Sequence, residues 1–146
     1  MRLKFNPAFE SFLMMTLNDL TQMPANASKR LPDYFDDRFM PITIGRHFER
    51  YEEFIRSIES GYQKETENYQ NDLSRRNHLE NILPLVPAEF VQGYCHYLSE
   101  LDQRFLSLTY STRRYPPLDE EPYLSQFWWE RRPLVRTKWQ ATDEKA

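Results

Sequence analysis

The chain has little glycine and cysteine for its length, with three glycines and one cysteine among 146 residues. A single cysteine, Cys95, excludes an intramolecular disulfide framework and is typical of a reducing compartment. Phosphate-binding loops need clustered glycines so that backbone N–H groups can approach the anion, whereas Gly45, Gly61 and Gly93 lie far apart. The three histidines are also scattered. We therefore expect no nucleotide loop, no metal site and no other cofactor.

Long hydrophobic runs and a strong charge imbalance are absent as well. No stretch approaches the roughly 20 apolar residues of a membrane span, and the first residues do not follow the pattern of a signal peptide. The formal net charge of −3 favours neither a wholly basic nucleic-acid binder nor a strongly acidic protein. We expect a cytoplasmic protein that does not associate with membranes.

Ten prolines are present, and they divide the chain because proline lacks an N–H group and clashes inside a helix. Between them apolar residues recur at helical spacing. The predicted helices are Pro7 to Gln22, a long segment through Phe48 to Leu73 that ends before Pro84, Pro87 to Ser107, and Glu120 to Arg131. The candidate strands are Ile42 to Ile44, Ser107 to Thr112 and Leu134 to Lys138.

These elements predict a mainly α fold, a single-domain bundle of about four helices over residues 1–140, with at most a small accessory sheet. Residues 141–146 are expected to be a disordered tail. Pairing between two of the candidate strands would make the class α+β, which is the second choice.

The middle of the chain carries a seven-residue apolar repeat. Its members are Phe48, Tyr51, Ile55, Ile58, Tyr62, Tyr69 and Leu73. Such a seam predicts one long helix, or two in line hinged near Gly61, that pairs with a neighbour along its length. The neighbour can belong to the same chain or to a second copy, so a homodimer through Phe48 to Leu73 is one of the two interpretations.

Charge in the same segment is predominantly negative. Between Phe48 and Asp72 there are seven carboxylates and three basic residues, so the exposed side of this helix is predicted to be acidic. An acidic helix side is usually only solvated. Its functional interpretation is a docking surface for a basic partner, because complementary charge raises the association rate.

The C-terminal region interleaves aromatic and basic residues, with four basic residues and no acid between Arg131 and Lys138. Aromatic and arginine side chains can stack on bases and neutralise phosphates, and they also form hot spots of protein interfaces. A third interpretation has one of Trp128 and Trp129 in the core and the arginines in salt links.

Two constellations invite a catalytic interpretation. Cys95 and His96 are adjacent, and neighbours on a helix point about 100° apart, so they do not form a nucleophile–base pair and Cys95 is interpreted as a core residue. All-α ribonucleases of toxin systems place an arginine and a histidine on one face of a helix, where they polarise the phosphate and move protons without a metal. Arg75 and His78 lie three positions apart, which is geometrically suitable for such a pair. A basic last turn that complements the helix dipole explains them equally well.

The resulting hypothesis is a small protein-interaction module that acts by stoichiometric binding and is not an enzyme. Its most specific form is a toxin-neutralising protein of the bacterial immunity or antitoxin type, whose partner is a basic toxin domain. The predicted partner-binding residues are Glu52, Glu59, Tyr62, Glu65, Tyr69, Trp129, Arg131 and Arg132. The alternatives are a nucleic-acid-binding module that uses the C-terminal Trp/Arg segment, and a metal-independent ribonuclease around Arg75 and His78.

Overall fold

The computed structural model describes residues 6–26, 29, 41–62, 66–110 and 132–133. These residues form five α-helices and two short antiparallel strands: α1 (Pro7–Leu13), α2 (Leu17–Thr21), α3 (Ile44–Glu59), α4 (Thr66–Ile82), α5 (Ala88–Ser107), β1 (Thr109–Tyr110) and β2 (Arg132–Pro133). Turns of 3-10 helix cover Pro24–Asn26 and Leu83–Leu85. The predicted mainly α class is confirmed. None of the helices in these ranges combines the length and apolar character that crossing a membrane requires.

The N-terminal helix is interrupted, so the prediction of one helix from Pro7 to Gln22 is wrong. Asn6 caps α1 by accepting a hydrogen bond from the Phe9 N–H at 2.8 Å. A second start signal lies at Thr16, whose Oγ1 accepts from the Asp19 N–H at 3.2 Å while the Asp19 carboxylate accepts from the Thr16 N–H at 2.9 Å. This reciprocal capping box satisfies the first backbone donors of α2 and separates it from α1.

Thr43 starts α3, so the predicted strand Ile42 to Ile44 is also wrong. Its Oγ1 accepts from the Arg46 N–H at 3.1 Å, and Ile44 is already the first helical residue. Within the predicted strand, Thr43 forms one isolated antiparallel bridge with Thr16. The Ile44 N–H donates to the Met15 carbonyl at 2.8 Å, which ties the interruption between α1 and α2 to the beginning of α3.

The central segment is two helices and not one. Helix α3 ends at Glu59, and Gly61 follows with φ of 83°, a conformation that glycine adopts without the steric cost of a Cβ atom. Helix α4 then returns towards α3, because the rings of Phe54 and Tyr69 lie 5.3 Å apart and meet edge to face. The prediction of a continuous or in-line helix is therefore wrong.

The seven members of the apolar seam are all buried within the single chain. The side of the helices that carries the seam is therefore covered within the chain. The burial itself follows the prediction. A homodimer through Phe48 to Leu73 stays a prediction.

Contacts divide the chain into two compact units, each assembled from two stretches. The first comprises Met1–Arg50 and Asn77–Glu100, and the second comprises Tyr51–Arg76 and Leu101–Ala146. The single domain over residues 1–140 stays a prediction. The predicted helix Glu120 to Arg131, the predicted strand Leu134 to Lys138 and the predicted tail lie outside the described residues.

The first unit has an aromatic core. Phe12 stacks on Phe90 at 4.8 Å between ring centroids, and Phe48 stacks on Tyr97 at 4.2 Å. Tyr94 lies between these pairs and donates its hydroxyl proton to the Leu79 carbonyl at 2.6 Å. Offset and edge-to-face aromatic contacts add to the burial of apolar area, so this core is held by ring geometry as well as by exclusion of water.

A buried asparagine closes the same unit. The Asn26 Nδ2 group donates to the carbonyl oxygens of Leu20 at 2.9 Å and Leu85 at 2.8 Å. It thereby satisfies backbone acceptors at the end of α2 and in the 3-10 turn after α4. Both amide protons are used, which explains why a polar side chain is tolerated in a buried position.

The second unit surrounds a buried charge pair. Asp102 of α5 accepts from Arg76 of α4 through two parallel hydrogen bonds of 2.8 and 3.0 Å, and from the Tyr51 hydroxyl of α3 at 2.7 Å. Burial raises the pKa of Tyr51 well above its ordinary value, and the neighbouring Asp102 carboxylate adds to the increase. Tyr51 therefore stays a neutral donor.

Helix α5 follows the prediction closely, since it runs from Ala88 to Ser107 behind Pro87. Strand β1 lies within the predicted Ser107 to Thr112 strand and pairs with β2, with Thr109 opposite Pro133. Each strand has two residues, so the pair is the small accessory sheet of a mainly α protein and does not make the class α+β.

Candidate functional site

Charged side chains one helical turn apart form one side of α3 in the second unit. We call Glu52, Glu53, Arg56, Glu59 and Arg104 the α3 charged face. Arg56 follows Glu52 by four residues and forms an ion pair with it, as expected for side chains one turn apart. Arg104 of α5 reaches across to Glu59 at 2.7 Å and Glu52 at 3.6 Å. Two arginines thus compensate much of the negative charge predicted for this helix.

The carboxylates of the α3 charged face differ in their exposure to solvent. The side chain of Glu52 is only 12% exposed, while those of Glu53 and Glu59 are 45% and 43% exposed. Arg75 of α4 lies 4.0 Å from Glu53 and 3.4 Å from Asp72. The Tyr62 hydroxyl in turn donates to Asp72 at 2.7 Å. Glu53 and Glu59 are therefore the carboxylates of this face that a partner can reach, while Glu52 mainly orients the arginines.

The two tyrosines among the predicted partner-binding residues, Tyr62 and Tyr69, are buried. Tyr62 and Tyr69 pack edge to face at 5.0 Å between ring centroids, and both also pack against Phe54. Both side chains are almost fully buried, so neither ring is presented at the surface of the described structure. The physical reason is that they belong to the apolar seam, which the return of α4 covers.

The remaining predicted partner-binding residues lie at the limit of the described structure. Glu65, Trp129 and Arg131 are outside the described residues. Arg132 is described only through its backbone, as part of β2. Their binding roles stay predictions.

The residues of the ribonuclease hypothesis are engaged elsewhere. The Arg75 guanidinium is held by carboxylates of the second unit. In the first unit His78 is buried, and its ring lies 6.0 Å from that of His47, edge to face. This placement lends the ribonuclease hypothesis no support.

His47 is buried beside His78 at the start of α3. Burial, the neighbouring His78 and the Arg50 guanidinium together lower the pKa of His47 to about 3. Desolvation acts first, because an imidazolium ion is poorly solvated in the interior. His47 is therefore a neutral imidazole at physiological pH.

A second surface feature lies in the first unit, between α1 and α5. This groove, the α1–α5 groove, has a volume of about 790 Å³. It is lined by Asn6, Ala8, Phe9, Glu89, Phe90, Gln92, Gly93, Cys95, His96 and Ser99. Cys95 and His96 are exposed on its side, so the interpretation of Cys95 as a core residue is wrong. The buried stripe of α5 runs through Tyr94, Tyr97 and Leu98, and Cys95 lies beside it.

Gly93 explains how α1 approaches α5 so closely. A Cβ atom at this position would lie 2.8 and 2.9 Å from two ring carbons of Phe9. The Phe9 ring is buried and also packs against Phe12 and Phe90, with centroids 5.5 and 6.2 Å away. The ring therefore occupies the space that a larger residue at position 93 would need.

We expect Gly93→Ala to destabilise the protein by about 1–3 kcal/mol, because the Phe9 ring must leave a filled position. An ordinary helix interior would show the opposite sign, since alanine is favoured over glycine there by about 1 kcal/mol. Urea unfolding measures the difference. Gln92→Ala is the matched control on the exposed side, with a change below about 0.5 kcal/mol. A stabilised Gly93→Ala protein would contradict this packing.

Within the described ranges, no three His, Cys, Asp or Glu side chains are grouped as a metal would require. Comparisons with protein-family models, curated proteins and solved structures returned no match.

Sequence reasoning did not single out Glu53, Arg104 or the α1–α5 groove. Arg104 lies 45 positions from Glu59, and no local pattern predicts a contact over that separation. Glu53 had a usable signal, because it follows Glu49 by four residues on the side opposite the apolar seam. The groove had none, since it depends on how α1 packs against Gly93.

Proposed function

We propose that this chain is a small protein-interaction module that acts by stoichiometric binding, in its most specific form a toxin-neutralising protein of the immunity or antitoxin type. Its partner is a protein with a basic surface. The supporting observation is the presence of two exposed carboxylates, Glu53 and Glu59, on the outer side of a helix whose inner side is fixed in an aromatic core.

Rigid presentation matters for this proposal. Tyr51, Phe54 and Ile58 anchor α3 from the inner side, and Arg104 holds Glu59 in place from α5. A preformed charged surface binds with a smaller loss of conformational entropy than a mobile one. It also steers a basic partner during diffusion and raises the association rate.

The first experiment captures the partner. The tagged protein is purified gently from its own host, and the material that accompanies it is identified by mass spectrometry and by absorbance at 260 nm. One protein at a one-to-one ratio supports the proposal. Nucleic acid that is removed by salt supports instead the alternative of a nucleic-acid-binding module, whose phosphate contacts release counterions.

The second experiment changes the charge of the surface. Glu53→Lys combined with Glu59→Lys should slow association with the captured partner at least about tenfold at low salt, because steering changes to repulsion. Stopped-flow or surface plasmon resonance measures the rate. Glu80→Lys is the matched control, since Glu80 is an exposed carboxylate of α4. Equal rates for both variants would count against the α3 charged face.

A further inference from the structure

We propose that the α1–α5 groove is a second contact site, which binds an aromatic side chain flanked by lysine or arginine in a segment of the partner protein. This inference deepens the proposed function and rests on it, because the occupant is part of a protein with a basic surface. The observations that carry it are the partly exposed ring of Phe90 in the groove, the charge of the lining and the volume of the groove.

The floor is a preformed aromatic surface. Phe90 is only partly buried, and its ring stacks on Phe12 from below at 4.8 Å. Phe9 meets Phe90 edge to face at 6.2 Å. The buried Phe9 ring covers Gly93, so the partly buried ring of Phe90 is the aromatic surface that an occupant of the groove can meet. Such edge-to-face and offset contacts favour an aromatic occupant.

Charge around the groove selects the flanking residues. Helix α1 and residues 88–100 of α5 carry three carboxylates, Glu10, Glu89 and Glu100, and no lysine or arginine. Glu10 and Glu89 lie in first helical turns, where each helix N-terminus offsets about half a negative charge. Glu89 is the one carboxylate among the described residues that line the groove, and none of them is lysine or arginine, so the lining complements a basic segment better than an acidic one.

The size of the groove fits a peptide segment. Its volume of about 790 Å³ falls in the range of about 300–1,000 Å³ that is usual for ligand sites. One indole side chain fills only part of that volume, and the backbone and aliphatic stems of neighbouring lysines occupy the rest. Lysine stems commonly cover apolar surface while their charged ends stay in water.

Cys95 makes the inference testable, because it is the only cysteine of the chain and lines the groove. The probe is the acetylated, amidated peptide Lys-Lys-Trp-Lys-Lys, and the readout is the rate of Cys95 alkylation by iodoacetamide. At about ten times its dissociation constant the peptide fills nine-tenths of the sites, so alkylation should slow about tenfold. The same peptide with serine in place of tryptophan, or with glutamate in place of lysine, should protect weakly.

Two variants locate the peptide by calorimetry. Gln92→Trp fills the groove from an exposed position and should weaken peptide binding at least about tenfold, since the site is then occupied. Gln103→Trp, exposed on α5 and outside the groove lining, should leave peptide binding unchanged. The inference would be overturned if the three peptides protected Cys95 equally or not at all. Equal binding of the tryptophan peptide to the Gln92→Trp and Gln103→Trp proteins would also overturn it.

The outcomes also separate this inference from the proposed function. A captured partner that depends on Glu53 and Glu59 but binds the Gln92→Trp protein normally removes the groove and leaves the function standing. A peptide that protects Cys95, in a protein that captures no partner from its host, supports the groove as a site for a basic aromatic segment and counts against the proposed function. A captured partner that Gln92→Trp weakens supports both.

Discussion

Replacing Asp102 with alanine is expected to lower the free energy of unfolding by about 3–5 kcal/mol, because it leaves the Arg76 guanidinium buried without its counter-charge. The side chains of Arg76 and Asp102 are only 5% and 13% exposed. The substitution also removes the acceptor of the buried Tyr51 hydroxyl, which adds a desolvation penalty. Urea or thermal unfolding at neutral pH measures the loss.

The control for Asp102 uses an ion pair at the surface. Glu59→Ala breaks the 2.7 Å contact with Arg104, where both side chains are substantially exposed, and should cost less than about 1 kcal/mol. The triple variant Tyr51→Phe, Arg76→Met, Asp102→Leu should recover most of the stability, since apolar groups of similar size can replace a buried pair. Equal small losses for Asp102→Ala and Glu59→Ala would contradict the buried network.

Acidification is expected to destabilise the protein through His47. The pKa of His47 is about 3 in the folded chain and about 6.5 in an unfolded one. Between these values the unfolded chain binds a proton that the folded chain does not, so stability falls as the pH falls from about 6.5 to 3, by about 1.4 kcal/mol per pH unit. Above about pH 6.5 the contribution of His47 to stability no longer changes with pH.

The measurement compares urea unfolding at pH 7 and pH 5, where most carboxylates remain ionised. Over this interval the contribution of His47 is about 2 kcal/mol. A His47→Gln protein should lack that part of the loss, because glutamine does not titrate. His96→Gln, at an exposed histidine of α5, should retain the full loss. Identical pH dependence in the wild-type and His47→Gln proteins would show that His47 is not responsible.

Proline and apolar periodicity predicted a helix well where the residues at its ends mark its start and its end. Pro87 and the apolar stripe behind it predicted α5. The capping box formed by Thr16 and Asp19 was present in the sequence but was overridden by the continuous apolar periodicity on either side of it. Periodicity alone therefore does not detect a cap inside a helical pattern, and the capping residues should be considered first.

The seam illustrates a different limit. Its seven-residue repeat identified buried positions correctly, including Tyr51 and Tyr69. A repeat describes which side of a helix is apolar, and it does not describe what covers that side. The turn at Gly61 lets α4 supply the cover, so Tyr62 became part of the core. Glu59, just before the turn, kept the exposure that the pattern predicted.

The candidate sites depend on contacts between residues distant in sequence. Arg104 compensates Glu52 and Glu59 across two helices, and the groove exists because Phe9 lies against Gly93. Neither contact leaves a local pattern in the sequence. Composition predicted an acidic helix, and only the packing shows which of its carboxylates face outward.

The hydrogen bonds of Asn26 have a consequence for producing this protein. Asn26-Ala27-Ser28 matches the acceptor sequence for N-linked glycosylation. The nitrogen that would carry the sugar is the same Nδ2 atom that donates to the Leu20 and Leu85 carbonyls in a buried position. A glycan at Asn26 and this fold therefore exclude each other. In a secretory expression host, any chain glycosylated before folding would be unable to close its first unit.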